Sequence, residues 1–136
     1  MNSTSINFKI EKSNHIIIEC KLNKIKGRFI IDTGASNSCV NKSLAKKFNI
    51  SFKKSKEKAS SATNQINEIY YSKNNLLNIA NYTNNSFEII LFDMAQINES
   101  LREKEIENVD GIIGGEILYE FNAIIDYKKK LLTLEF

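Results

Sequence analysis

Phe29-Ile30-Ile31-Asp32-Thr33-Gly34-Ala35-Ser36 is the stretch that decides how this chain is read. Three bulky apolar residues in succession have the composition of a buried strand, and they deliver a carboxylate straight into a turn of small residues. An ionised aspartate is costly to bury unless donors surround it. The turn offers them through the N–H of Gly34 and nearby amides, and Gly34 has no Cβ to keep another backbone at a distance. An aspartate in such a place can simply end a strand, so the rest of the sequence has to decide between structure and chemistry.

Working outward, apolar residues alternate at Ile6, Phe8 and Ile10, and Ile16-Ile17-Ile18 followed by Cys20 and Leu22 forms a β-branched run. Both read as strands. Residues 23–27 are short, polar and glycine-containing, which suits a hairpin leading into Phe29. Beyond the turn, Asn41 can cap a helix that places Leu44 and Phe48 on one face, with Asn49 as its stop. Strands are expected over residues 59–63, 69–72, 76–82 and 87–92, with asparagines between them as turn residues. The lysines at 53, 54, 56 and 58 suit a solvated loop or an edge strand. Residues 94–108 are polar and charged and read as a long loop with one helical turn. The end reads as a short strand at Ile112-Ile113, a break at Gly114-Gly115, a short helix over 116–119 and strands over 123–126 and 131–136. With no proline and only five glycines, asparagine carries most of the turns. The sum is mainly β: a small closed β-barrel with one or two short helices, in a single domain over residues 1–136.

Composition narrows the function. A net charge of +3 comes from scattered lysines rather than a basic block, which makes nucleic acid an unlikely target. Cys20 and Cys39 stand far apart and the single histidine, His15, completes no zinc-ligand spacing with them, so no metal is expected. No apolar run approaches the ~20 residues of a membrane span and residues 1–10 lack a secretory pattern, so the expectation is a cytoplasmic protein with reduced thiols and no membrane partner. One histidine and no glycine-rich phosphate loop leave little for other catalytic chemistries.

Residues 16–50 resemble the amino-terminal half of retropepsin-like aspartic proteases, the single-domain homodimeric kind within clan AA. Asp32-Thr33-Gly34-Ala35 matches that family's active-site motif at each position, and Val109-Asp110-Gly111-Ile112-Ile113-Gly114 followed by Glu116-Ile117-Leu118 resembles its second element. The resemblance implies an aspartic endopeptidase in which Asp32 is catalytic, Thr33, Gly34 and Ala35 support the turn, and Ile112, Ile113 and Gly114 brace it. It also implies a mobile flap over the cleft, here residues 59–71 with its tip near Thr63, Asn64, Gln65 and Ile66, although the usual tip glycines are missing.

The chain has one Asp-Thr-Gly, whereas the pepsin-like relatives carry two, so the second carboxylate is expected from another copy of the chain across a two-fold axis. Two close carboxylates hold one proton between them; this is the behaviour known for pepsin and a retroviral protease. Such a pair activates a water with no metal or cofactor. Ala35 stands where many pepsin-like enzymes have a hydroxyl, and losing that donor makes the pair less acidic, so activity is expected at mildly acidic to neutral pH. Gly115 stands where retroviral enzymes have an arginine that secures the dimer. The apolar strands around Phe8 and over 131–136 are therefore expected to pair across the axis instead. The substrate implied is an extended peptide. The alternative is a catalytically silent relative that keeps the fold as a peptide-binding or dimerisation module.

Overall fold

A computed structural model of the protein describes residues 2–60 and 66–136. In chain order the elements are β1 (Ser3–Asn7), β2 (Lys9–Ile10), β3 (Ile16–Leu22), β4 (Ile25–Asp32), β5 (Cys39–Asn41), a 3-10 turn (Lys42–Leu44), β6 (Lys53–Ser60), β7 (Ile66–Ile79), β8 (Tyr82–Phe92), α1 (Ala95–Glu103), β9 (Gly111–Gly114), α2 (Gly115–Glu120), β10 (Ile124–Asp126) and β11 (Leu131–Glu135). One sheet runs β2-β3-β4-β9-β5-β8-β7-β6, and a further pairing of β3 with β7 closes six of these strands into a barrel. The fold is the small closed β-barrel with two helices that the sequence implies. β6 lies at the open end of the sheet, with Lys53 and Lys54 in solvent; charged side chains keep such an edge from pairing with other chains.

The unbroken apolar runs have a physical reason. Ile16, Ile18, Phe29 and Ile31 point into the main core, while Ile17 and Ile30 point the other way into a second cluster with Met94, Leu101, Ile106 and Val109. A strand covered on both faces does not alternate. Each of these side chains, fully buried, contributes about 1.5–3 kcal/mol.

That second cluster corrects the reading of residues 94–108 as a loop. Nine of them form α1. Its N-terminal amide, Ala95 N, donates to Asp93 Oδ1 at 2.9 Å. Leu101 buries the helix against the barrel, and the buried Asn98 side chain makes two hydrogen bonds to the backbone of Val109, at 2.8 and 3.2 Å. Charged residues on the solvent face dilute the periodicity and hide the helix from a composition reading.

Three other expectations need correction. The helix after Asn41 is only a 3-10 turn, although Asn41 does cap it and Asn49 ends the segment in a left-handed conformation, φ 54°. Residues 69–72 and 76–79 of the two strands expected there belong to one 14-residue strand, β7, which is bulged around Asn74 and Asn75; the chain then turns at Ala80 and Tyr82 already opens β8. The buried Asn75 side chain donates to Ser72 Oγ and to the Phe87 carbonyl, which lets the bulge stay inside the sheet. Lastly, the terminal strands pair with each other inside the chain. β1 runs antiparallel to β11, and β11 also pairs with β10, giving a separate sheet of order β1-β11-β10. β11 has no free edge, so its open neighbours are β1 and β10. Where left-handed backbone occurs among the described residues, asparagine supplies it most often, at 14, 23, 49, 74 and 122, and no glycine does.

Candidate active site

β4 and β5 follow one another in sequence but are not neighbours. β9 lies between them, parallel to β4 with Ile31 opposite Ile113 and Asp32 opposite Gly114, and antiparallel to β5 with Cys39 opposite Ile112. The backbone after Asp32 must therefore travel around the end of β9 before it rejoins the sheet. Gly111 makes this insertion possible: a Cβ there would run into the Cys39 carbonyl oxygen and the Phe29 ring.

At the end of β4 the turn is built by its own backbone. Ala35 N donates to the Asp32 carbonyl at 3.2 Å, and Gly34 N donates to Asp32 Oδ1 at 2.9 Å. The Asp32 side chain is half-buried and Thr33 and Gly34 are exposed. Among the described residues the Thr33 hydroxyl has no hydrogen bond within the chain. Gly34 differs from the chain's other glycines, because a Cβ on it would meet nothing nearer than Asp32 Oδ1 at 3.4 Å. The space above this turn is open.

Around the far side of the loop the contacts are closed. Gly115 N donates to the Ala35 carbonyl at 2.6 Å, Ser38 Oγ accepts from Gly114 N at 2.9 Å, and Ser38 N donates to Glu116 Oε2 at 2.6 Å. A Cβ on Gly114 would meet Glu116 Oε1 at 2.6 Å and the Ala35 carbonyl at 2.9 Å. The glycine leaves room for the carboxylate.

A carboxylate presented at a strand end, in a loop wrapped around an inserted glycine-bounded strand, agrees with what the sequence itself matches: residues 18–117 fit the family model described as aspartyl protease. The chain belongs to the aspartyl protease family. Among solved structures it resembles a retropepsin-like aspartic protease from Rickettsia conorii, at 18% identity and a TM-score of 0.61, covering 98% of this chain and 91% of that one. It also resembles the retroviral protease-like domain of Ddi1 from Leishmania major, at 20% identity and a TM-score of 0.63, covering 93% and 90%. A third is the EIAV protease in complex with the inhibitor HBY-793, at 13% identity and a TM-score of 0.59, covering 85% and 93%. At these identities the structures speak to the fold. No curated protein matches.

Within this family member the structure gathers Asp32, Thr33, Gly34, Ala35, Ile112, Ile113 and Gly114 at one end of the β4–β9 pair. Ile113 is fully buried in the barrel and Ile112 packs on the opposite face against the second cluster. Of the expected flap tip, Ile66 opens β7, opposite Ser60 of β6, while Thr63, Asn64 and Gln65 lie outside the described residues. The sequence reading named Gly111, Gly115 and Glu116 within or beside the second element without giving them these contacts, and it missed Ser38. A signal existed for Glu116: an acid two residues past Gly114, in the first turn of a helix. Both cysteines are buried and free, and burial pushes the Cys39 thiol up to about 12 and raises that of Cys20 as well. Neither is poised as a nucleophile. Among the described residues no cluster of metal-ligating side chains occurs, and no helix is long and apolar enough to cross a membrane.

Proposed function

We propose that this protein is an aspartic endopeptidase whose active site is completed by a second copy of the same chain. The observation that carries the proposal is the open side of the Asp32 turn. Among the described residues its glycine is demanded neither by a left-handed φ nor by any close neighbour, and its threonine hydroxyl has no partner. A second turn facing the first across a two-fold axis uses both features: backbone approaches backbone at Gly34, and Thr33 finds an acceptor in the other copy.

With two Asp32 carboxylates facing each other, one proton is shared between them. A water held in the middle gives its proton to the ionised aspartate as its oxygen attacks the peptide carbonyl carbon. The protonated aspartate meanwhile donates to the carbonyl oxygen. The tetrahedral gem-diol then collapses: one of its hydroxyls returns a proton to the ionised aspartate, the C–N bond breaks, and the leaving nitrogen takes the proton of the other aspartate, so the pair ends with the single proton it began with. No acyl-enzyme forms and no cofactor takes part. The substrate is an extended peptide lying between the Asp32 turns and the paired strands β6 and β7, which act as the flap.

The surface that joins the copies follows from the terminal sheet. Among the described residues β10 has one unpaired edge, and Ile124 on it and Tyr127 just after it are 54% and 60% exposed. Antiparallel pairing of β10 with its own copy is two-fold symmetric, continues the three-stranded sheet into six strands and covers these side chains.

The test is cleavage of a peptide library by the wild type and by Asp32→Asn, with solution mass measured at the assay concentration. Cleavage by a dimer that disappears in a folded Asp32→Asn dimer supports the proposal. Cleavage that survives the substitution, or a strictly monomeric active species, refutes it. Peptide binding without cleavage in the wild type assigns the chain to the silent module instead.

A further inference from the structure

Ser38 is completely buried, yet its backbone N–H finds its acceptor in a side chain 78 residues away, at Glu116. The bond is short, 2.6 Å, and its acceptor is a carboxylate; such charge-assisted bonds are about twice as strong as neutral ones. The Ser38 hydroxyl in turn accepts from Gly114 N, and Gly115 N holds the Ala35 carbonyl. Both ends of the segment 35–38 are thus tied to the start of α2. The middle is not tied in the same way: Ser36 and Asn37 are exposed. A pocket of about 310 Å³ lies beside Asn37, Ser38 and Glu116, so a segment released by Glu116 has space to move into. At its far end the Ser38 carbonyl also accepts from Ile90 N at 3.0 Å, so the part free to shift is the stretch before Ser38.

An extended peptide rises about 3.3 Å per residue, so three residues on one side of a scissile bond at Asp32 reach roughly 10 Å. The hydrogen bond from Ala35 N to the Asp32 carbonyl closes a turn whose ends lie within about 7 Å, and the exposed Ser36 follows one Cα step of about 3.8 Å further on, so the start of the segment lies within about that reach. We propose that Glu116 is a positioning residue that holds the segment 35–38 in the place where the peptide substrate is read. The inference rests on the protease reading given above. Glu116 acts through the backbone of Ser38 and does not touch the reacting atoms. It also explains Gly114, whose missing Cβ leaves the space occupied by Glu116 Oε1.

The experiment compares Glu116→Ala and Glu116→Gln with the wild-type dimer, with rates normalised to folded protein. Glu116→Ala is expected to raise KM about tenfold while kcat changes less than about threefold, because binding contacts are displaced and Asp32 keeps its own turn. Glu116→Gln, whose amide oxygen still accepts from Ser38 N, is expected to stay within about threefold of wild type in both. If Glu116→Ala does not fold, Glu116→Asp takes its place, since its oxygens are withdrawn by one methylene, and the same rise in KM is expected. A lowered melting temperature with unchanged KM makes Glu116 a structural brace only and overturns the proposal, as does a Glu116→Gln enzyme as impaired as Glu116→Ala. Amide exchange at Ser38, expected to speed up about tenfold or more in Glu116→Ala, separates the two readings. Wild type that cuts no peptide sinks the protease while leaving the clamp visible in that exchange. Unchanged exchange in a variant of an active enzyme sinks the clamp alone.

Discussion

The parallel pair β4–β9 carries an aspartate at each end, and the chain treats the two in opposite ways. Asp110, just before β9, is enclosed: its Oδ2 accepts from Arg28 N at 2.9 Å, its own N–H donates to the Arg28 carbonyl at 2.8 Å, and Lys47 Nζ stands 4.0 Å away. Arg28 reaches on to Glu11 at 2.9 Å, and that hydrogen bond holds the Glu11 carboxyl below its usual range. Among the described residues the Asp32 carboxylate, at the other end, accepts one bond, from Gly34 N of its own turn. The glycines repeat the contrast. Gly111 beside Asp110 is forced by the Cys39 carbonyl and the Phe29 ring, whereas Gly34 beside Asp32 is forced by nothing in its chain. One end is finished by this fold, and the other is left open in the way the proposed second copy and substrate would require.

The largest expected effect follows from exchanging the carboxylates one at a time. Asp32→Asn should lower peptide cleavage by at least about 10³-fold, near the upper part of the range for a general acid–base group, with little change in the unfolding midpoint. Asp110→Ala should do the reverse. Leaving Arg28 N–H without its acceptor costs about 1–3 kcal/mol in denaturant titrations, while cleavage per folded molecule stays near wild type. If Asp110→Ala abolished cleavage in a folded dimer, the two ends would not be separate in function and the contrast would fail.

The glycines sharpen the same comparison. Gly111→Ala puts a methyl where backbone already stands, and overpacking of this kind costs on the order of 1–3 kcal/mol or more. Gly34→Ala has room within its own chain and should keep the stability of the isolated chain within about 0.5 kcal/mol. It should nevertheless weaken association by sedimentation and remove activity, because in the proposed dimer the methyl would stand where the partner's turn approaches. A Gly34→Ala protein that dimerises and cuts normally would remove the main support for a shared site.

The same division explains what could be read from sequence. The open end is compressed into consecutive residues, Asp32 to Ala35, and β9 with its glycines is equally local, so both were visible as motifs. The links that hold the loop were not. Ser38 and Glu116, like Asn98 and Val109, are brought together only by the insertion of β9, and neither polar residue differs from an ordinary surface residue until its partner is known. Strand positions in the terminal sheet were legible from their apolar pattern. Their pairing was not, because an edge that seeks a partner finds one equally well in its own chain, and here β11 was satisfied by β1 and β10. The helix α1 was lost for a related reason: its apolar face is narrow, and its anchor is the buried amide of Asn98 rather than a hydrophobic stripe.

The smallest expected effect concerns the enclosed part alone. Cys39 lies on β5 against Ile112 of β9, and its thiol is raised by burial from 9.0 to about 12; Tyr82, in the main core, is raised from 10.0 to about 12, also by burial. Below pH 9 the Cys39 thiol keeps its proton whether the chain is folded or not, and stability does not depend on it. Between pH 9 and 12 the unfolded chain releases a proton that the folded chain retains, so stability is lost as pH rises, by on the order of 1 kcal/mol for this thiol at pH 10. Denaturant titrations across that window should show the decline, and Cys39→Ala should remove only this thiol's share, because Cys20 and Tyr82, also raised by burial, contribute with the same sign. Native protein at pH 8 should resist thiol alkylation until it is unfolded, since a protonated, buried sulfur is a poor nucleophile. A thiol labelled quickly in the folded dimer would mean that β9 and β5 open beside the site, and the enclosed end would then be less closed than the hydrogen bonds of Asp110 imply.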